Sequence, residues 1–167
     1  MASRDAAPAF TLPDGKPFKF GIVVSQWNPH ITTALTEGAR STLLDAGVLP
    51  ENIEELSVPG SFELPWGARQ LMKADKKDGI ICLGCIIHGE TRHDEYISNA
   101  VANGIMQLGL ASGLPVIFGV LTTETEDQAK ERSGGKHGNK GSEAAATALQ
   151  LAHIKSGNKS EKRKIGF

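Results

Sequence analysis

The apolar run Gly79-Ile-Ile-Cys-Leu-Gly-Cys-Ile-Ile87 stops at His88-Gly-Glu-Thr-Arg-His93, and an amphipathic pattern resumes at Tyr96. A short apolar run of this kind reads as a buried parallel strand, and open α/β sheets bind ligands at the carboxyl ends of such strands. The turn that follows offers Gly89 for close backbone approach, the Thr91 hydroxyl, a guanidinium and two imidazoles. These groups gather where a helix begins and its first amides point outward. The chemistry they suit is capture of an anion next to a group that moves protons.

The flanking pattern predicts the elements that must hold this turn. Residues 18–25 form a first strand, and Pro29 opens a helix in which Ile31, Leu35, Ala39 and Leu43 recur every four positions. Residues 52–58 alternate Ile53, Leu56 and Val58 with polar neighbours, and Pro59-Gly60 turns the chain into a helix over 61–75. Residues 79–87 and a helix over about 93–111, with Ile97, Val101, Ile105 and Leu108 on one stripe, make the third unit. Gly113-Leu-Pro115 ends that helix, residues 116–121 are a fourth strand, and residues 122–127 cap a short helix reaching Arg132. A glycine-rich loop then leads to an alanine-rich helix over 141–155. Strands alternating with helices through right-handed crossovers give an α/β fold, a flavodoxin-like three-layer sandwich with a four-stranded parallel sheet and helices on both faces.

The 167 residues suffice for one well-buried core, and 18 basic against 19 acidic side chains leave a net charge of −1. That balance argues against nucleic acid or an anionic membrane as partner and for a small ligand. Residues 96–123 lack charge, yet Asn99, Asn103, Gln107, Ser112 and Pro115 interrupt them, so helix, turn and strand explain the stretch better than a membrane span. Residues 1–8 have no apolar core of a signal peptide, and two cysteines do not make a disulfide framework, so a cytoplasmic protein is expected. The expected organisation is an extension over 1–15, a domain over 16–155 and a basic tail over 156–167.

Two motif readings fail on their chemistry. Cys82, Cys85, His88 and His93 have zinc-like spacing, but strand residues three apart point to opposite faces, so no metal site is expected and the cysteines belong to the core. The stretch Gly134-Gly-Lys-His-Gly-Asn-Lys-Gly141 ends in Lys140-Gly141-Ser142, which lacks the Gly-Lys-Ser/Thr order of a phosphate-binding P-loop.

Several ordered motifs, VPGSFELP (58–65), GETRH (89–93), VIFGVLTTET (116–125), QAKERSGGKHGNKG (128–141) and EAAATALQLA (143–152), resemble the lumazine synthase family of riboflavin biosynthesis. The resemblance spans about residues 18–154. It implies a cofactor-free condensation of 5-amino-6-ribitylamino-uracil with 3,4-dihydroxy-2-butanone 4-phosphate, giving dimethyl-ribityllumazine, phosphate and water. By the same resemblance, Trp27 stacks on the pyrimidine, where a core or interface tryptophan is the alternative, and Asn28 bonds the ribityl chain or simply shapes a turn. Gly60, Ser61 and Glu63 match the loop that binds the ribityl hydroxyls, although Glu63 also suits helix capping. Gly89, Glu90 and Thr91 match the turn that binds the butanone phosphate, with Arg132 as its forked cation, although a solvated helix-end arginine is the plain alternative.

His93 matches the proton-transfer histidine, a task suited to an imidazole of ordinary pKa about 6.5. Asp94 stands where the family more often has an aromatic, and if directed at His93 it would raise the imidazole pKa. His88 stands where a long polar residue is commoner and is expected at the rim. In the family the residues matching Arg132, Phe118 and Lys140 come from an adjacent subunit of a pentamer, so a homopentamer is implied. The compact 134–141 stretch favours its assembly into a 60-subunit icosahedral shell, and riboflavin synthase is a candidate partner. A non-catalytic protein of the same fold that holds a flavin or lumazine, and a flavodoxin-like electron-transfer module, are the competing functions.

Overall fold

The computed structural model describes residues 11–164, with side chains through residue 157. The sequence-predicted strands are present as β1 (Phe20–Ser25), β2 (Ile53–Val58), β3 (Gly79–Ile87) and β4 (Val116–Thr123). They pair in parallel in the order β2-β1-β3-β4. Helices α1 (Pro29–Asp45), α2 (Leu64–Ala74), α3 (His93–Ser112), α4 (Glu126–Glu131) and α5 (Lys140–Lys164) connect or follow them. The fold is therefore the α/β sandwich that the periodicity predicts.

Two apolar layers sandwich the sheet, sorted by the two-residue period of the strands. Phe20 and Ile22 of β1 and Ile81, Leu83 and Cys85 of β3 pack under α1 and α5 with Leu35, Leu43 and Leu149. Val23 of β1 and Ile80 and Cys82 of β3 face Leu64, Leu71, Val101 and Ile105 of α2 and α3. Cys82 and Cys85 thus lie on opposite sides of the sheet, as their three-residue spacing requires. Burial pushes the Cys82 thiol up to about 12. Burial, with the Glu126 carboxylate nearby, pushes the Cys85 thiol up to about 11.

Some boundaries differ from the sequence-based expectation for local reasons. β1 begins at Phe20 rather than 18, because the Phe18 amide donates to the Gly15 carbonyl (3.0 Å) and the Lys19 amide to Asp78 Oδ2 (2.9 Å). Residues 61–63 form a single 3-10 turn before α2. The glycine-rich loop is a small antiparallel hairpin, β5 (Ser133–Gly135) with β6 (Gly138–Asn139). α5 runs to Lys164 instead of ending near 155, through residues that contain no proline and end in the helix formers Glu161, Lys162, Arg163 and Lys164. Of the expected extension over 1–15, residues 1–10 lie outside the described part, as do residues 165–167 of the expected tail.

The hairpin is fastened to α1 by one side chain. Asn139 Nδ2 donates to the Ala34 carbonyl (2.9 Å) and the Ser133 carbonyl (3.3 Å), while its Oδ1 accepts from the amides of Gly141 (2.8 Å) and Ser142 (3.2 Å) at the start of α5. Close approach of α5 to α1 depends on Gly141, where a Cβ would overlap the Leu35 carbonyl oxygen.

Two outcomes follow from this packing. Gly141→Ala forces the two helices apart and is expected to destabilise the fold by about 3 kcal/mol, read by urea denaturation. In the native protein neither cysteine is expected to react with a disulfide reagent, and both become titratable in guanidinium; native labelling within minutes would contradict the burial described.

Candidate active site

The carboxyl ends of β1, β2 and β3 open into a cavity of about 530 Å3. It is lined by Trp27, Asn28, Gly60, Ser61, Glu63, Gly89, Thr91 and His93, which are eight of the sequence-predicted site residues. Glu90 is exposed on the same turn, between two of the lining residues. Phe62 of the expected 59–63 loop and Asp94 also line the cavity, as do Cys85, Ile86, Ile87 and Ile97, which were not expected there. Apolar strand ends and the inward side of a helix carry no distinctive composition, so only the topology reveals them.

Each lining group is held by an identifiable local cause. Trp27 follows β1 and is 72% exposed, so its indole is a cavity wall and not part of the core. Asn28 occupies the left-handed region (φ 56°), which asparagine tolerates better than most residues, and its Nδ2 donates to the Cys85 carbonyl at 3.1 Å. That bond joins the loop after β1 to the end of β3. The turn role considered for Asn28 is therefore filled.

Glu63 Oε2 accepts the Gly60 amide at 2.9 Å, the reach-back half of a capping box, so the capping role considered for Glu63 is also filled. Ser61 is buried, and its hydroxyl donates to Ser25 Oγ at a long 3.5 Å. Gly84 of β3 makes room for it, since a Cβ there would come within 2.6 Å of Ser61 Oγ. The cavity floor thus depends on a missing side chain in the strand beneath.

The 89–91 turn is open. A Cβ at Gly89 would meet nothing within 4 Å, and the amides of Gly89, Glu90 and Thr91 have no hydrogen-bond partner among the described residues. Free amides ahead of a twenty-residue helix form an anion-binding environment. His93 is the first residue of that helix and reaches the cavity.

Asp94 does not address His93. Its Oδ2 lies 3.0 Å from His88 Nδ1, because successive helical residues project about 100° apart and Asp94 turns back toward the end of β3. His88 is raised from the ordinary histidine value by the hydrogen bond to Asp94 and by that carboxylate's charge, and Asp94 is lowered by the hydrogen bond to His88. The conditional expectation that Asp94 tunes His93 is replaced by an Asp94–His88 pair.

The remaining expected residues lie elsewhere in the chain. Phe118 and Lys140 line a separate groove of about 620 Å3 beside β4, between α3 and α5. Lys140 Nζ is 2.9 Å from Glu143 Oε2. Arg132 lines neither cavity, and its Nη1 donates to the Gln128 carbonyl at 3.2 Å. The described residues therefore place Trp27, Asn28, the 60–63 loop, the 89–91 turn and His93 at one cavity, Phe118 and Lys140 at another groove, and Arg132 at neither.

Comparison with known proteins places the chain in a family. The profile of the 6,7-dimethyl-8-ribityllumazine synthase family matches residues 17–156. A 6,7-dimethyl-8-ribityllumazine synthase of Flavobacterium psychrophilum is 46% identical over 157 residues, covering 94% of this chain and 80% of that protein. The proteins of that name from Cytophaga hutchinsonii (54% over 132 residues, 79% of this chain and 83% of the relative) and Bacteroides fragilis (50% over 133 residues, 80% and 93%) are similar at the same level. Matched along nearly its whole described length, the chain belongs to the 6,7-dimethyl-8-ribityllumazine synthase family.

Proposed function

We propose that this chain condenses 5-amino-6-(D-ribitylamino)uracil with 3,4-dihydroxy-2-butanone 4-phosphate to 6,7-dimethyl-8-ribityllumazine, releasing phosphate and water, the penultimate step of riboflavin biosynthesis. The observation that carries this reading is the single cavity in which an exposed indole, a polar loop, free turn amides and an imidazole meet. Trp27 stacks on the pyrimidine, and Asn28, Gly60, Ser61 and Glu63 bind the ribityl chain, while Gly89, Glu90 and Thr91 hold the phosphate. His93 moves protons as the amine attacks the ketone to form a Schiff base, phosphate leaves by elimination, and ring closure loses water. Holding two substrates together supplies much of the acceleration, so no covalent enzyme nucleophile or cofactor is invoked.

Arg132, Phe118 and Lys140 reach this cavity from an adjacent subunit of a homopentamer. Support comes from their separation from the cavity within one chain and from the exposed Met106, Leu110 and Leu151 that flank the Phe118 groove. Among the described residues no helix is long and apolar enough to cross a membrane. We further propose a cytoplasmic protein with a domain over 16–155, an extension over 1–15 and a basic tail over 156–167. Its pentamers assemble into a 60-subunit shell, with riboflavin synthase as partner.

Mixing both substrates with the protein and following lumazine absorbance tests the activity. His93→Ala is expected to lower kcat about a hundredfold, and Arg132→Ala to raise KM for the butanone phosphate by roughly ten- to a hundredfold. Refolding these two impaired variants together is expected to give more turnover at low butanone phosphate than the sum of the two refolded separately, since some junctions then pair an intact His93 with an intact Arg132; mixed oligomers no more active than that sum would exclude a shared site. Small-angle scattering is expected to give the radius of a hollow shell, and the radius of a lone pentamer would exclude that assembly.

A further inference from the structure

The proposed phosphate turn carries an electrostatic problem that its free amides do not solve alone. Asp94 lines the cavity, its carboxylate is only 20% exposed, and its Oδ1 is buried without a hydrogen-bond partner. A carboxylate held in place beside the site of an incoming phosphate repels it, and partial burial weakens the solvent screening that would hide this. Of the other charges near the turn, Glu90 on the turn, Glu95 on α3 and Glu124 after β4 are acidic, and Arg92, the cation of the turn itself, is exposed and makes no ion pair with Asp94 among the described residues. Glu124 and Glu95 both act on His88 from these positions.

The partner that does meet Asp94 is His88, the residue directly after β3, anchored by its amide to the Thr123 carbonyl at 2.8 Å. Its Nδ1 stands 3.0 Å from Asp94 Oδ2, and its ring remains about half exposed (48%), so it can exchange protons with solvent while paired. We propose that His88 is a positioning residue for the phosphate-bearing substrate: as imidazolium it neutralises Asp94 and opens the 89–91 turn to the anion, and as neutral imidazole it leaves a carboxylate that disfavours it.

This inference rests on the substrate assignment made above and adds a pH-dependent control of the same site. The direction is fixed by the pair. His88 is raised by Asp94, and Asp94 is lowered by His88, so rising pH removes the imidazole proton while the carboxylate stays ionised. The pair passes from neutral to one negative charge, and anion affinity falls as pH rises through the His88 midpoint, which lies above the ordinary value of about 6.5. A permanent cation in place of His88 removes the dependence, and a neutral amide makes the weak state permanent.

The test uses the full-length assembled protein and compares KM for the butanone phosphate between about pH 6 and about pH 8.5, with the ribityl-pyrimidine saturating. The ratio of the wild-type KM to that of His88→Arg is expected to rise roughly fivefold across this range, because titration of the substrate and of every other group common to both proteins divides out. His88→Gln is expected to show the high KM already at the acid end, and Asp94→Asn to show a low KM with no added rise. Calorimetry with inorganic phosphate on the same variants is expected to give the same ratios without turnover. A wild-type to His88→Arg ratio that stays constant with pH in both measurements would overturn the inference, whereas failure of the wild type to form any lumazine would overturn the substrate assignment and leave the phosphate calorimetry to decide the role of His88.

Discussion

Parallel pairing of β1 with β3 is the constraint on which the site depends. With Phe20 opposite Gly79 and Val24 opposite Leu83, both strands deliver their carboxyl ends to one rim, and β3 continues four residues beyond that pairing. The overhang brings Gly89 and Thr91 of the open turn to the cavity shared with the loops after β1 and β2, while the His88 amide stays bonded to Thr123 at the end of β4. The Asn28 side chain then fastens the loop after β1 to the Cys85 carbonyl within that overhang. Shifting the register by one residue would exchange the faces of Cys82 and Leu83 and break both apolar layers, so core packing holds the cavity open.

The parts legible in the sequence were those with strong periodicity. β3 has the predicted bounds because nine residues in a row favour burial, and α1 and α3 are announced by Pro29 and by a clean apolar stripe. The 133–139 hairpin was not legible, since a strand of two or three residues containing glycine has no period to detect. Asp94 was misdirected for a different reason. Adjacency to His93 in sequence suggests contact, yet the first helical turn sends neighbouring side chains apart, and the true partner lies six residues back across the strand-to-helix turn.

Residues far apart in the chain show a further limit. Nothing in spacing or composition links Arg132, Phe118 or Lys140 to the 89–93 turn, and the single chain keeps them apart. Their grouping entered through family resemblance alone. What the fold adds is a reason for their mutual placement: Lys140 begins α5, its amide donates to the Arg132 carbonyl at 2.9 Å, and Asn139 binds the intervening hairpin to α1. The hairpin therefore keeps the backbone of Lys140 beside that of Arg132, and Lys140 shares a groove with Phe118 of the edge strand β4.

On the proposed reading this division of labour ties catalysis to assembly. A cavity that binds the ring and polyol in one subunit, and a segment that supplies the guanidinium from another, have full affinity for the phosphate substrate only when copies associate. By linkage, any ligand that spans both must strengthen the contact between them by the same free energy. The His88–Asp94 pair acts inside this arrangement, because it sets the charge on the cavity side against which the neighbouring cation operates. When the pair is neutral, guanidinium and turn amides act together on the anion. When it is negative, part of the guanidinium's attraction is spent on Asp94, so a single proton on His88 alters both substrate affinity and the cohesion of the subunits that share the site.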